Sequence, residues 1–263
     1  MIELNFLYII IFCLTIVQSI VGIGVLVLGT PIMLLMNYNL VECFNLLLPF
    51  SIVTSGLNIL VISLKNNFYR YQLNETKKSF FGKKILIYFF LVCIPALFCG
   101  LVLLKIFQNI INFKIVVGFF IIFSLIFKNI YSDEILNISN FSKKIIFFII
   151  GLIHGSTNSG GALLSLFIST LNKNFKIESR FSITFFYFFL AVFQYSIFVL
   201  IFDYTLSLSV LVIVFMVCAF GSILGNYIIN FINEYYLKKS IETLALITAT
   251  LLILDGFNIL SII

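Results

Sequence analysis

Residues 151–164 read GLIHGSTNSGGALL, and they lie inside a long apolar segment, residues 145–170. The middle of this segment carries four consecutive hydroxyl or amide side chains, Ser156 to Ser159, followed by the glycine pair Gly160 and Gly161. Polar side chains at the centre of a membrane-sized segment are costly unless they face a protein interior or a water-filled cavity. The stretch therefore predicts that this segment has an unusual backbone and a specific role.

The composition of the whole chain indicates its class. Its 263 residues are 62% hydrophobic and 10% charged, and the mean hydropathy is +1.20. Apolar segments longer than about 18 residues recur along the chain, and each is long enough to span a bilayer as a helix. We predict an all-α, polytopic membrane protein with about eight transmembrane helices, at residues 6–36, 40–64, 85–104, 112–130, 145–170, 181–202, 207–231 and 240–262.

A polar connection at the midpoint divides the chain. We interpret residues 1–263 as a single integral membrane domain made of two four-helix pseudo-repeats, residues 1–130 and 145–263, with a linker at 131–144. Four spans in each half would make both halves enter the membrane from the same side.

Two sequence shifts relate the halves. A shift of 136 positions places Gly24 on Gly160, and a shift of 125 positions places Gly100 on Gly225. Such matches are expected of an internal duplication.

The polar cluster predicts a break in the fifth span. Two adjacent glycines lower helix propensity by up to about 2 kcal/mol relative to alanine. A helix-packing motif needs small residues on one face only, whereas these polar residues surround the helix. We therefore expect the helix to unwind near Asn158 and resume at Gly160, with its backbone groups lining a cavity. Tight packing of Gly151, Gly155 and Ser159 stays open as the structural alternative.

The predicted cavity suits a small anion. Free N–H groups where the helix resumes would attract negative charge, and hydroxyl and amide groups would add donors. The sole histidine would supply a proton-linked charge. The first span repeats the pattern more weakly near its centre. The candidate substrate-binding residues are Gly22, Gly24, His154, Ser156, Thr157, Asn158, Ser159, Gly160 and Gly161.

Other polar residues are less specific. Arg180 reads either as a cation lining the mouth of the pathway or as an interfacial anchor. Gln194 lies within the sixth span. Asp255 is close enough to the chain end to reach the interface, so it is not assigned to the pathway.

Three stretches carry a family resemblance: GIGVLVLGTP (22–31), NSGGALLSLF (158–167) and GSILGNYI (221–228). The chain resembles the TauE/SafE family of sulfite exporters and related membrane permeases. Two departures stand out, because Val25 and Leu26 replace two glycines of the family motif and Phe167 replaces its second proline. The resemblance implies two four-span halves and secondary transport of small anions such as sulfite, organosulfonates or related sulfur-containing or carboxylate compounds.

Other classes of protein are kept as alternatives. These are a non-transporting membrane assembly subunit, a thiol–disulfide carrier and a membrane enzyme. An enzyme is not predicted, since the sequence has no HExxH or GxSxG motif, and no cofactor or metal site is expected. The expected partners are a small anionic substrate and the lipid bilayer, with no nucleic acid and with a homo-oligomer left open. The expected location is the bacterial inner (plasma) membrane, with several passes.

Overall fold

Helices make up all the regular structure that is described. The computed structural model describes residues 2–73, 83–131, 139–171, 176–204, 207–231 and 234–259, and these ranges contain no strand. This confirms the all-α prediction. The helices are α1 (Ile2–Val21), α2 (Val25–Leu35), α3 (Leu40–Leu73), α4 (Lys83–Tyr88), α5 (Ile94–Phe107), α6 (Phe113–Tyr131), α7 (Asn140–Thr157), α8 (Gly160–Leu171), α9 (Lys176–Phe202), α10 (Leu208–Ile228) and α11 (Glu234–Gly256). A π-helical turn, Phe89–Cys93, joins α4 to α5 in one continuous rod.

Four helices in the described ranges are long and apolar enough to cross a membrane. They are Leu40–Leu64, Lys84–Phe107, Ser179–Phe202 and Ser209–Ile228. They correspond to the second, third, sixth and seventh predicted spans. Shorter apolar helices cover Phe6–Val21, Val25–Leu35, Phe113–Ile126 and Gly160–Ser169. Length and composition therefore support four of the eight predicted spans. Part of the predicted linker, residues 132–138, lies outside the described residues.

The first predicted span is a helical hairpin. A Cβ atom built on Gly24 would lie 2.9 Å from the backbone nitrogen of Gln18 and 3.3 Å from the carbonyl oxygen of Leu14. Gly29 likewise approaches the Leu14 side chain. Leu14 could not approach Gly24 and Gly29 if one helix continued straight through the break, because that helix would rise about 1.5 Å per residue. The chain therefore reverses at residues 22–24, and α2 packs back along α1.

The fifth predicted span reverses in the same way. Gly160, at the start of α8, lies against Ile150 and His154 of α7. Further along the hairpin, the rings of Phe147 and Phe167 are 5.2 Å apart. The sequence correctly predicted a break at the centre of this segment. It wrongly predicted that the helix continues in the same direction after the break.

Helices α3 and α9 run antiparallel to each other. The rings of Phe44, near the start of α3, and Phe198, near the end of α9, are 5.9 Å apart. Further along α3, Gly56 faces the ring of Phe188. These helices occupy corresponding places in the two halves.

Helices α6 and α11 are also antiparallel. Lys114 at the start of α6 pairs with Asp255 at the end of α11, and Gly118 faces the carbonyl oxygen of Ala249. The expectation that both halves enter from the same side is therefore wrong. Each hairpin returns on itself, and α9 and α11 run opposite to α3 and α6.

The two ends of the bundle differ. At the end that we call the Lys114 end, Lys114 donates a hydrogen bond of 3.0 Å to Asn37 in the loop after α2. A cleft of about 460 Å³ opens there between the last turn of α2, the starts of α3 and α6, and the residues that follow α5 and α9. At the opposite, Arg180 end, Arg180 at the start of α9 donates to Asn226 near the end of α10.

Large apolar side chains cover the outside of the bundle. Leu64, Leu91 and Leu200 are 70%, 71% and 80% exposed, and many Phe and Ile side chains are exposed beside them. Apolar patches of this extent mark contact with a membrane or a partner. The helices and this surface identify an integral membrane protein.

Candidate functional site

The break between α7 and α8 has the predicted position. α7 ends at Thr157, Asn158 adopts the left-handed conformation at φ 62°, and α8 begins at Gly160. Asparagine is one of the few residues that tolerate this conformation. The Thr157 hydroxyl donates to the Ile153 carbonyl at 2.7 Å and is 2.5 Å from the hydroxyl of Ser159. Local hydrogen bonds therefore fix the break.

Gly160 allows two backbones to touch. A Cβ atom at this position would lie 2.5 Å from the carbonyl oxygen of Ile150 and 2.7 Å from the backbone nitrogen of His154. Neither backbone atom moves without disturbing α7. Gly161, the next residue, lies against the ring of Tyr187 and the side chain of Val27.

Asn158 links three helices through its side chain. Its amide nitrogen donates to the Thr30 hydroxyl in α2 at 3.2 Å. Its carbonyl oxygen accepts from Gln194 in α9 at 2.8 Å. Gln194 also donates to the backbone carbonyl of His154 at 3.0 Å. The break between α7 and α8 is thereby held to α2, the short second helix of the first hairpin. We call α2 and α8 the half-helices.

The predicted hydroxyl groups of this segment are buried and mostly satisfied locally. Ser156 donates to the Leu152 carbonyl at 3.0 Å, and the Ser159 backbone N–H donates to the Thr157 hydroxyl. No more than a tenth of Ser156, Thr157 or Ser159 is exposed. The segment is therefore packed in this conformation. The sequence had instead predicted that it lines a water-filled cavity.

His154 and Tyr187 carry unsatisfied polar atoms at the centre of the bundle. Both side chains are fully buried, and their rings lie 5.9 Å apart. Neither ring nitrogen of His154 nor the hydroxyl of Tyr187 has a hydrogen-bond partner among the described residues. Buried polar groups without partners are uncommon in proteins and call for an explanation.

Hydrogen bonds from one side chain hold the break between α1 and α2 in place. Gly22 has φ 94°, which favours glycine. The side chain of Gln18 accepts from the Val25 N–H at 3.0 Å and donates to the hydroxyl of Ser55 at 2.9 Å. It thus caps α2 and ties the hairpin to α3. Gln18 is the position that the 136-residue shift places on His154, and Gly24 approaches it as Gly160 approaches His154.

Arg180 closes a polar network around this first break. Its guanidinium donates to the backbone carbonyl of Ser19 and, at 2.8 Å, to the side chain of Asn226. Asn226 donates to Asn58 at 2.9 Å, and Ser19 donates to Ser222 at 3.3 Å. These bonds to α1 and α10 show that Arg180 is held by protein groups and is not simply an interfacial anchor.

The nine candidate residues lie at the two helix breaks. The half-helices α2 and α8, which begin at these breaks, are in contact with each other. α2 packs against α8, and the bond between Thr30 and Asn158 joins them. The sequence interpretation missed Asn58, Asn226 and Tyr187. The two asparagines could have been found, because each interrupts an apolar span. Tyr187 carries no such signal in a chain with 33 Phe and 12 Tyr residues.

One family model matches most of the chain. The model described as Sulfite exporter TauE/SafE covers residues 7–252 of the 263. No curated protein and no solved structure matches the chain.

Proposed function

The chain belongs to the sulfite exporter TauE/SafE family, and from that premise we propose that it is a secondary transporter of small anions. The proposed substrates are sulfite, organosulfonates or related sulfur-containing or carboxylate compounds. The family match and the apolar helices make it a membrane transport protein. We further propose that it is a multi-pass protein of the bacterial inner membrane.

The pairing of the two half-helices carries this proposal. α2 and α8 both begin inside the bundle and pack against each other. The first N–H groups of a helix lack partners within that helix, and the helix dipole places partial positive charge there. Two such helix ends near one another can attract a small anion without the help of a charged side chain. Transporters commonly bind anions at interrupted helices.

The candidate residues have different parts in this proposal. Gly22 and Gly24, like Gly160 and Gly161, let the backbone turn and approach closely at each break. The side chains of Ser156, Thr157, Asn158 and Ser159 hold the second break in shape. His154 keeps polar atoms available beside the pathway. The backbone N–H groups at the two breaks are the proposed anion contacts.

A repeated pair of glycine contacts supports two pseudo-repeats. A Cβ atom on Gly225 would meet the carbonyl oxygen of Ile16 at 2.7 Å, and one on Gly100 would meet that of Leu152. The 125-residue shift relates the two glycines, and the 136-residue shift relates the two carbonyls. We propose that each repeat is one hairpin plus three crossing helices, and that the two repeats have inverted topology.

Inverted repeats give the transporter a way to alternate its access. Swapping the conformations of two equivalent halves converts a site open to one side into a site open to the other. The cleft opens at the Lys114 end, whereas the Arg180 network binds the first break to its neighbours at the other end. That network supports a state that is closed at the Arg180 end.

Transport by purified protein tests the proposal. Proteoliposomes loaded with radiolabelled sulfite, an organosulfonate or a carboxylate of similar size are diluted into buffer, and retained label is counted. We expect efflux of at least one of these anions that exceeds the leak of protein-free liposomes and that an excess of the unlabelled anion slows. Efflux equal to the leak for every anion, in both directions of the gradient, contradicts the proposed function.

A further inference from the structure

We propose that the hydroxyl of Tyr187 and the backbone N–H groups of Leu26 and Val27 in the first turn of α2 together form the binding locus for an oxyanion. This rests on the proposed function and names the group that recognises the substrate. The sequence motifs of the two breaks do not include Tyr187, which lies in the middle of α9.

The surroundings of the hydroxyl carry the proposal. Beside it lie the side chain of Ser51 and the backbone of Leu26 and Val27, the second and third residues of α2. Yet it makes no well-formed hydrogen bond within the described part of the chain. A phenolic hydroxyl both donates and accepts, so a fully buried one without a partner has unused capacity for a ligand.

Tyr187 also lies between the two breaks. Its ring is tilted against that of His154 in α7, and the edge of the ring touches Gly161 at the start of α8. Its hydroxyl lies beside residues of α2 and α3. A ligand at the hydroxyl would therefore meet both hairpins, whose relative movement would bind and release it.

The chemistry of the locus selects the class of ligand. The groups beside the hydroxyl, from Ser51 and the start of α2, supply N–H and O–H donors and no carboxylate. His154 and Gly161 lie against the ring of Tyr187 and add no carboxylate either. A compact group with several oxygen acceptors, such as the SO₃ group of sulfite or of a sulfonate, can accept from the phenol and the amides at once. Neutral donors hold such a group without the strong attraction of a buried ion pair.

Removal of one hydroxyl tests the locus. Tyr187→Phe is compared with Tyr195→Phe, which makes the same change on the partly exposed face of the same helix. The KM for radiolabelled sulfite and the thermal unfolding midpoint with and without sulfite are measured for both variants and the wild type. We expect Tyr187→Phe to raise the KM about 10-fold or more, because a hydrogen bond to a charged group is lost. The Tyr195→Phe variant keeps the wild-type KM.

Stability separates binding from a structural role. Without sulfite, Tyr187→Phe should unfold at the wild-type temperature or above it, because the variant no longer buries an unpaired hydroxyl. Stabilisation by sulfite should be lost. A Tyr187→Phe protein that is less stable or fails to fold, or that keeps the wild-type KM, overturns the locus while the proposed function stands. A wild type that moves none of the anions overturns both.

Discussion

Lys114 of α6 and Asp255 of α11 form an ion pair in which the Nζ atom lies 2.5 Å from a carboxylate oxygen. Their side chains are 21% and 29% exposed, so water screens the pair only in part. Lys114 also donates to Asn37 in the loop after α2. One cation therefore links the C-terminal end of the first hairpin to the last helix.

A double-mutant cycle measures this link. Lys114→Met and Asp255→Leu should each lower the unfolding midpoint, and the double variant should lose less than the sum, with a coupling of about 1 kcal/mol. Lys105→Met is the matched control, since its Nζ atom donates to the carbonyl of Ile201 and does not pair with Asp255. If the double variant loses as much stability as the two single variants together, the ion pair contributes nothing to the stability of the fold.

The close approach at Gly160 predicts a large effect of a single methyl group. Gly160→Ala brings Cβ against backbone atoms of Ile150 and His154, and we expect a loss of about 2 kcal/mol or more. Gly56→Ala is the control, because its Cβ would lie 3.4 Å from the Phe188 ring in ordinary contact. In that helix interior alanine should stabilise by up to about 1 kcal/mol. Equal unfolding midpoints for the two variants would contradict the hairpin packing.

The reversed direction of the second half predicts which loops share a side of the membrane. Single cysteines replace Asn39, Tyr204, Ser139 and Asn230 in a chain whose five native cysteines are changed to serine or alanine. A membrane-impermeant maleimide should label Asn39→Cys and Tyr204→Cys from one side, and Ser139→Cys and Asn230→Cys from the other. Halves in the same orientation would instead place Asn39 and Tyr204 on opposite sides, because they flank opposite ends of corresponding helices.

The sequence predicted the position of the break but not the path that follows it. Asn158 tolerates the left-handed conformation and the glycine pair disfavours a continuous helix, so both signals are local. The reversal depends on Gly160 meeting Ile150 and His154, which is a tertiary contact that no short stretch encodes. That missed reversal also underlies the expectation that both halves have the same orientation, which the antiparallel pairs α3–α9 and α6–α11 contradict.

The polar partners of the breaks were predictable to different degrees. Asn58 and Asn226 interrupt apolar helices, and a polar residue at such depth indicates an interior position. Tyr187 and Ser51 become distinctive only when the fold brings them together beside Leu26 and Val27 of α2. The proposed role of Tyr187 follows from its hydroxyl, which lacks a partner among the described residues, and a sequence does not contain that information.

His154 provides the last prediction. Its imidazole is fully buried, both ring nitrogens lack partners in the described ranges, and Tyr187 lies beside it. A proton that the imidazole takes up when an anion binds would make transport of a sulfonate, which keeps its charge, rise as the pH falls. His154→Gln keeps one donor and one acceptor but cannot carry the charge, so it should flatten this profile and retain part of the flux. Flux per folded molecule is measured at several pH values for the wild type and for His154→Gln. A wild-type profile in His154→Gln would show that the histidine only packs against its neighbours, and it would remove His154 from the proposed pathway.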